Sequence, residues 1–373
     1  MSIQTPHSRT VAPRLQLVAA DVKEAGERIA GHVRPLTVIQ AGPIPADGAV
    51  RADGDPTADA YGGADFSGGA ADDSAHLFLA CESTQATGSF KARGALNYAR
   101  YHLQYGVMPN AGVAIAATGS ANAAVACAWA ARQTSTKATV FAAEHCAPAA
   151  LARMRSLHAD VRRVDGDAAA AEHAAAVHAR ECGALYCQPQ DNILTAAGAG
   201  TVARDIIAAL GDDIDTIVLP VVGGTLLAGT IAALERTGIR IVPVEPAGRP
   251  TLSAALAAGH PVQLPADPRN PASLGAAGLS GGALALAEAA GVEPVTVPDA
   301  QISAARRALW ERHRLAVEHC AATGLAALAC GAYVPDPFER VVVVLTGGNG
   351  DLTDLADLAQ PQSPPAGSAR SAR

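Results

Sequence analysis

The feature that most constrains this chain is a regular alternation, from His76 onward, of short apolar segments with longer helical stretches. Continuous apolar strands, each followed by a helix, are typical of parallel sheets that helices cover on both faces. We therefore predict an α/β fold with parallel-rich sheets flanked by helices. Strands are predicted at 76–81, 112–117, 137–142, 160–164, 184–187, 215–222, 239–245 and 340–346. Helices are predicted between them at 92–104, 121–132, 148–158, 167–182, 199–210, 226–236 and 301–313.

The rest of the chain predicts two domains and three stretches without regular structure. A first helix is expected at about 18–33, opened by an Asp21-x-x-Glu24 capping pattern. Residues 41–75 are rich in Gly, Ala, Asp and Pro and show no periodicity, which predicts a loop insertion. The predicted units are a large domain (16–110 plus 192–352, with that insertion), a small domain (111–191) and disordered tails (1–15 and 358–373).

Charge and cysteine content exclude several classes of function. The 373 residues carry a net charge of -7, without a basic block interleaved with aromatic residues, which argues against a nucleic-acid partner. The seven cysteines form no C-x-x-C pair, and Cys182 and Cys187 lack further regularly spaced zinc ligands. Residues 1–15 lack the order of a signal peptide, and the alanine-rich stretch 121–131 is too short to span a bilayer. We expect a cytoplasmic protein with reduced thiols and no membrane partner.

Lys91 is the candidate catalytic residue. It follows a Gly88-Ser89 turn, precedes a predicted helix and has the apolar Phe90 beside it. Burial lowers the pKa of an ammonium group, and the neutral amine is a good carbonyl nucleophile, as a Schiff-base lysine needs. Taken alone, however, a lysine at the start of a helix is usually a solvated surface residue.

The wider segment 82–95 (ESTQATGSFKARGA) changes that assessment. It resembles the cofactor-lysine segment of fold-type II pyridoxal-phosphate enzymes, and most closely the serine/threonine dehydratase and serine racemase branch. The resemblance covers roughly 16–40 and 76–350. It implies a tryptophan synthase β-like fold, a large domain that binds pyridoxal 5'-phosphate through Lys91 and Phe90, a small amino-acid substrate and a homodimer.

Residues 219–227 (LPVVGGTLL) follow a predicted strand and open a predicted helix. Backbone N–H groups at such a turn, together with the positive end of the helix, can bind a phosphate. Alone, a Gly-Gly pair more often marks a packing turn. The segment resembles the family's phosphate loop, which usually has four glycines where this chain has Val222, Gly223, Gly224 and Thr225. We expect these four to bind the phosphate, with the Thr225 hydroxyl adding a donor and the branched side chain of Val222 narrowing the loop.

Residues 117–122 (ATGSAN) resemble the family's Ser-x-Gly-Asn-His segment. Aligning the following 129–131 (WAA) places Ser120 on the family's serine and Asn122 on its asparagine. A second register, anchored on Thr118-Gly119, would instead place Ser120 on the asparagine.

The first register gives these residues distinct roles. By resemblance, the Asn122 amide donates to the phenolate oxygen of the cofactor, and Ser120 lies across the cofactor from Lys91. The family's glycine is Ala121 here, and its histidine is Ala123. An ordinary polar helix cap is the alternative interpretation.

Two later segments complete the resemblance. Residues 344–350 (VLTGGNG) resemble the family's Ser-Gly-Gly-Asn, so that Thr346 would bond the pyridine nitrogen. A neutral hydroxyl protonates the ring only weakly, which suits elimination more than reactions with a long-lived carbanion. Residues 315–318 (LAVE) resemble an apolar-then-Glu segment that places Glu318 near the cofactor, although Glu318 could equally pair with a surface cation.

Residues 244–246 (VEP) match the start of the divalent-cation site found in racemase and dehydratase members. The acidic ligand expected six residues later is Thr251 here, and Arg249 lies between. A fixed positive charge opposes cation binding, and hard cations need oxygen ligands, so we predict no metal.

The leading hypothesis is a pyridoxal-phosphate lyase that dehydrates and deaminates a small β-hydroxy amino acid, such as serine or threonine, to a 2-keto acid and ammonia. Lys91 would remove the α-proton. A racemase is the first alternative, with Ser120 as the second acid/base group. A cysteine-synthase-like β-replacement enzyme is another, because of the Gly-Gly-Thr-Leu sequence. A degenerate binding protein is the non-enzymatic alternative, suggested by the departures at Ala121, Ala123, Val222 and Arg249.

Overall fold

The computed structural model describes residues 17–44, 74–188, 190–265 and 276–356. These residues form two sheets with helices packed against them. The strands are β1 (Thr37–Ile44), β2 (Ala75–Cys81), β3 (Val113–Ala117), β4 (Ala138–Ala143), β5 (Asp160–Val164), β6 (Leu185–Tyr186), β7 (Thr216–Pro220), β8 (Arg240–Pro246), β9 (Val295–Val297) and β10 (Arg340–Leu345). The helices are α1 (Ala19–Ile29), α2 (Lys91–Gln104), α3 (Asn122–Gln133), α4 (Pro148–Ser156), α5 (Ala168–Cys182), α6 (Ile193–Leu210), α7 (Thr225–Ala233), α8 (Thr251–Ala258), α9 (Gly281–Ala290), α10 (Asp299–His313), α11 (His319–Ala329) and α12 (Thr353–Ala356), with a 3-10 turn at Glu82–Thr84.

The larger sheet has the strand order β1-β2-β10-β7-β8-β9. All of its pairs are parallel except β1 with β2. In the central strand β10, Val343 pairs with Leu79 on one side and Val218 on the other. All three side chains are fully buried. A strand covered on both faces reads as a continuous apolar run, which is why RVVVVL could be recognised in the sequence.

The smaller sheet has the order β5-β4-β3-β6, and all of its pairs are parallel. Helices α3 and α5 pack against it, and both are rich in alanine, which lets a helix lie close to the strands. Its core includes Ile115, Val140 and Met154, each almost fully buried.

Helix α6 fixes the position of the lysine-bearing helix α2. A Cβ added to Gly94 would lie 2.6 Å from the Thr195 carbonyl oxygen, and one added to Gly198 would lie 2.6 Å from the Gly94 Cα. Only glycine permits this approach of two backbones. By length and composition α6 could cross a membrane, but 56% of it is buried inside the fold, as expected of a core helix.

The predicted α/β fold with parallel-rich, helix-flanked sheets is confirmed. The predicted loop insertion at 41–75 is wrong at its ends: residues 41–44 belong to the edge strand β1, and Ala75 begins β2. Pairing with β2 outweighs the low strand propensity of Gly42 and Pro43, which an edge strand tolerates. Most of the remaining insertion, 45–73, and both predicted tails lie outside the described residues.

Two further expectations concern boundaries. Asp21 does not begin α1 but is its third residue, where the carboxylate accepts a hydrogen bond of 3.0 Å from the Val18 N–H. The division into a large domain and a small domain stays a prediction. All four strands of the smaller sheet fall within 111–191, and the strands of the larger sheet fall outside it.

Candidate active site

A cleft of about 130 Å³ opens between the two sheets, at the carboxyl ends of their strands. In open α/β folds this is where ligands bind, because Gly-rich turns and helix N-termini meet there. All ten residues that the sequence predicted for the site line this cleft. They are Phe90, Lys91, Ser120, Asn122, Val222, Gly223, Gly224, Thr225, Glu318 and Thr346. Their individual roles stay predictions.

Lys91 is the first residue of α2, with its Nζ 4.9 Å from the centre of the Phe90 ring. Burial lowers its pKa from the usual 10.5 to about 8, while the nearby Cys320, Cys187 and Glu318 act in the opposite direction. A substantial fraction of the amine is therefore neutral near physiological pH, as a nucleophile or base must be.

The chain has only three lysines, and this fact singles out Lys91 more sharply than its local sequence does. Lys23 lies on the exposed side of α1, where its ammonium is 4.0 Å from Glu27. Lys137 is also exposed. Among the three, Lys91 alone lines the cleft.

The lysine segment is joined to the last strand of the larger sheet. The Phe90 N–H donates to the Thr346 carbonyl oxygen at 3.1 Å, and Ser89 forms a backbone bridge with Gly347. Thr346 itself is 7% exposed. These contacts place its hydroxyl and the Lys91 amine in the same cleft although they are far apart in the sequence.

Glu318 is buried in the cleft, with 6% exposure. Its Oε1 accepts hydrogen bonds from the Asn122 Nδ2 at 2.7 Å and from the Asn349 N–H at 2.9 Å. Its other oxygen lies 3.6 Å from the Cys320 Sγ. Burial raises the pKa of the Cys320 thiol far above its usual value, so this group is a neutral, weak hydrogen-bond donor. The alternative that Glu318 pairs with a surface cation does not match this setting.

Asn122 begins α3 and is 9% exposed. The preceding Ala121 has φ 58, a left-handed conformation that glycine adopts without strain and that is uncommon for alanine. The resembled family has glycine at this position in the first register. Ser120 is exposed at the mouth of the cleft. The buried, hydrogen-bonded amide of Asn122 favours the register that places it on the family's asparagine.

The predicted phosphate loop ends at the N-terminus of α7. Gly224 has φ +85, and a Cβ there would lie 2.5 Å from the Ala283 Cβ. A Cβ on Gly223 would come within 3.1 Å of the Gln190 side chain. Helix α7 then starts at Thr225, so its first N–H groups and positive end line the cleft. Val222 stands where the resembled family has a glycine, and its side chain lines the cleft without filling the space at the N-terminus of α7.

These features fit pyridoxal phosphate. The glycine-lined N-terminus of α7 suits the phosphate, the Lys91 amine suits the aldehyde carbon, and the neutral Thr346 hydroxyl suits the pyridine nitrogen. The Asn122 Nδ2, which donates to the Glu318 Oε1 at 2.7 Å, has a second N–H that suits the phenolate oxygen.

Glu245, at the first position of the cation site in related enzymes, serves another purpose. It is fully buried, and its carboxylate accepts hydrogen bonds from the Leu252 and Ser253 N–H groups at 2.5 and 2.9 Å. The Thr251 and Ser253 hydroxyls donate to it as well. Glu245 therefore satisfies the N-terminus of α8. Within the four described ranges, no cluster of three acidic, His or Cys side chains is arranged to bind a metal.

Sequence reasoning missed two polar residues of the cleft, Gln190 and Cys320. Gln190 follows the short strand β6, so the rule that sites lie beyond strand carboxyl ends could have identified it. Cys320 stands two residues after Glu318, but nothing in its sequence setting indicates that the thiol enters the cleft.

Comparisons with known proteins agree with this geometry. Residues 66–347 match the pyridoxal-phosphate dependent enzyme family. The chain is 33% identical to the L-threonine ammonia-lyase of Geobacter sulfurreducens over 279 residues, which are 74% of this chain and 68% of that protein. It is 29% identical to the serine dehydratase-like protein of Homo sapiens over 284 residues, which are 73% of this chain and 85% of that protein.

Solved structures extend the agreement to three dimensions. Maize serine racemase matches with a TM-score of 0.75 and 24% identity, covering 92% of this chain and 97% of that one, which shows a shared fold. A threonine deaminase from T.th. matches with a TM-score of 0.72 and 27% identity, covering 90% of this chain and 99% of that one. The resemblance predicted from Lys91 and its neighbours is confirmed. The chain belongs to the pyridoxal-phosphate dependent enzyme family, as a fold-type II lyase whose cofactor is pyridoxal phosphate.

Proposed function

We propose that the protein removes water and then ammonia from a small β-hydroxy amino acid, such as serine or threonine, and releases a 2-keto acid. The observation that carries this proposal is the pairing, in one cleft, of a Lys91 amine whose pKa is lowered to about 8 with a neutral Thr346 hydroxyl. The names of the relatives, an L-threonine ammonia-lyase and a serine dehydratase-like protein, support the substrate class.

Lys91 provides the base. When bound, pyridoxal phosphate supplies an electron sink that acidifies the α-C–H bond of an attached amino acid. The neutral Lys91 amine accepts the α-proton, and the electron pair left on the α-carbon expels the β-hydroxyl, which leaves as water once protonated. Addition of one water to the dehydrated product then releases ammonia, so the net reaction converts one amino acid to one keto acid and one ammonia.

The other residues hold the reacting parts in place. Thr346 offers the pyridine nitrogen a hydroxyl rather than a carboxylate, which limits protonation of the ring and favours rapid loss of the β-hydroxyl over a long-lived carbanion. The N-terminus of α7 binds the phosphate, and the turn 118–121, which leads into α3, offers backbone donors to the substrate carboxylate.

Racemisation is the second candidate, and the position of Ser120 favours it. This hydroxyl lines the same cleft as Lys91 from the smaller sheet and reaches solvent, so it could exchange a proton with the opposite side of the α-carbon. The two activities share Lys91 and differ in whether a second acid/base group takes part.

A homodimer in the cytoplasm completes the proposal. All seven cysteines are free, which agrees with a reducing compartment. The homodimer rests on the family resemblance alone, and light scattering of the purified holoenzyme would measure it.

The proposed reaction is tested by product analysis. Holoenzyme incubated with L-serine or L-threonine should form keto acid and ammonia in equal amounts, whereas Lys91→Ala should form neither. If D-serine accumulates without keto acid, the enzyme is a racemase. If keto acid forms only poorly but an added thiol replaces the acetoxy group of O-acetylserine and acetate is released, the enzyme performs β-replacement and the proposal is wrong.

A further inference from the structure

Asn349 connects four segments at the edge of the cleft. Its Nδ2 donates to the Asn122 Oδ1 at 2.7 Å and to the Thr87 carbonyl oxygen at 2.8 Å. Its side chain also packs against Gly88, where a Cβ would lie 2.5 Å from the Asn349 Oδ1. On the far side, Arg153 of α4 donates from Nη1 to the Asn349 Oδ1 at 2.6 Å.

These hydrogen bonds fix the direction of both amides. An arginine only donates, so Arg153 requires the oxygen of Asn349 to point toward it and the nitrogen to point toward Asn122. The Asn122 oxygen is then the acceptor, and its nitrogen points toward Glu318, to which it donates at 2.7 Å. That nitrogen has a second hydrogen. It is the one hydrogen of the Asn122 amide that these bonds leave for a ligand in the cleft.

We propose that Arg153 is a positioning residue for the cofactor, acting through Asn349 on Asn122. Arg153 lies outside the cleft lining, on a helix that packs beside α3, and its partner is 196 residues away in the sequence. With Arg153 in place, the Asn122 amide presents a donor to the phenolate oxygen of the cofactor. Without it, the Asn349 amide keeps its donors to the Thr87 and Asn122 oxygens but loses the bond that anchors its own oxygen, so it positions the Asn122 amide less firmly.

The effect should be moderate because Arg153 is partly exposed. A hydrogen bond of this kind changes binding by about twofold to tenfold. The inference concerns how the cofactor is held. It therefore does not depend on whether the bound enzyme eliminates water or racemises its substrate.

The test compares three variants. Arg153→Met removes the donor and keeps the length of the side chain, Arg153→Lys restores a pure donor, and Arg155→Met is a matched control on the exposed side of the same helix. Two properties are measured: the dissociation constant of pyridoxal phosphate from the reconstituted apoprotein, and the wavelength of the visible absorbance band of the bound cofactor.

Arg153→Met should weaken cofactor binding by about twofold to tenfold and shift the absorbance band, since the donor to the phenolate oxygen is disturbed. Arg153→Lys should return both properties toward wild type, and Arg155→Met should change neither. Equal behaviour of Arg153→Met and Arg155→Met would overturn the proposal. Two other results would also overturn it: weaker cofactor binding by Arg153→Met without a shift of the absorbance band, and a failure of Arg153→Lys to restore both properties. Either result would show that the hydrogen-bond donor of residue 153 does not position the cofactor.

Discussion

The two sides of the cleft are built differently. The large-sheet side consists of Lys91, Glu318, Thr346 and the loop 222–225, and its polar groups are mostly buried: Thr346, Glu318 and Thr225 are 6–7% exposed. The small-sheet side consists of Thr118, Ser120, Asn122 and Gln190, and except for Asn122 these residues are partly or fully exposed. The polar groups of one side are buried, and those of the other side are mostly open to solvent.

This difference indicates that the two sides of the cleft have different roles. Buried polar groups with fixed partners hold a large ligand in one orientation, as a cofactor requires. Exposed hydroxyl and amide groups can adapt to a small substrate that enters and leaves. Substitutions on the large-sheet side should therefore release or misplace the cofactor. Substitutions of the exposed residues on the small-sheet side, unlike substitutions of the buried Asn122, should leave the cofactor bound and change the reaction.

The largest effect is expected at Lys91. Lys91→Ala removes the proposed covalent attachment and the base together, so both turnover and the visible absorbance band should disappear. Borohydride reduction followed by peptide mass analysis measures the attachment site in the wild type. Lys137→Ala, at an exposed lysine, is the control. Labelling of Lys23 or Lys137 would show that the assignment to Lys91 is wrong.

The pH dependence of cofactor capture sharpens the same prediction. Only the neutral amine attacks the aldehyde, and burial lowers the Lys91 pKa to about 8. The rate of capture by apoprotein should thus rise as the pH increases through about 8 and level off above it. An ordinary solvated lysine, with a pKa of 10.5, would still be gaining rate there. A capture rate that still rises about tenfold per pH unit well above pH 8 would contradict the burial of the Lys91 amine.

The next largest effect is expected at Thr346. Thr346→Val keeps the shape but leaves the pyridine nitrogen unpaired, at a cost of about 1–3 kcal/mol, or roughly fivefold to 150-fold in cofactor affinity. Thr323→Val is a matched control, because the Thr323 hydroxyl is also buried and has no hydrogen-bond partner among the described residues. Thermal unfolding should be similar for both apoproteins. Equal cofactor affinity of the two variants would remove Thr346 from the ring contact.

The sequence predicted the parts of the molecule whose pattern is local. Strand β10 is recognisable because its apolar residues are consecutive, and the Lys91 segment because the consecutive residues 82–95 resemble one family. Helix α11 was missed because it is buried almost all round. Its sequence, HCAATGLAALA, therefore lacks the polar side that marks an amphipathic helix. Strand β1 was missed because its pairing with β2, not its composition, makes it a strand.

Contacts between distant segments could not be predicted. The bond from Arg153 to Asn349 spans 196 residues and joins a helix of the smaller sheet to a loop of the larger one. The role of Glu245 could not be predicted either. Its carboxylate accepts hydrogen bonds from the N-terminus of α8, a helix that the sequence did not indicate. In both cases the partner is defined by the packing of whole elements.

The smallest effect on the cofactor, and the clearest test of the small-sheet side, is expected at Ser120. Ser120→Ala should leave cofactor affinity and the absorbance band unchanged, because the Ser120 side chain is exposed and, among the described residues, makes no hydrogen bond to the groups proposed to hold the cofactor. Keto acid should still form from L-serine or L-threonine, since Lys91 alone takes the α-proton on its side. Racemisation and elimination from D-substrates should collapse, because both need proton transfer on the opposite side.

The assay follows keto acid and the ratio of enantiomers in the same sample, with Ser303→Ala on α10 as the control outside the cleft. Loss of the cofactor in Ser120→Ala would break the comparison between the two sides. Undiminished turnover of D-substrates would instead show that Ser120 transfers no proton, and the exposed side of the cleft would then only orient the substrate. If the two sides of the cleft have different roles, Ser120→Ala should lose only the D-substrate reactions and retain the cofactor. The buried groups would then determine which cofactor is bound, and the exposed groups would determine on which side of the α-carbon a proton can be transferred.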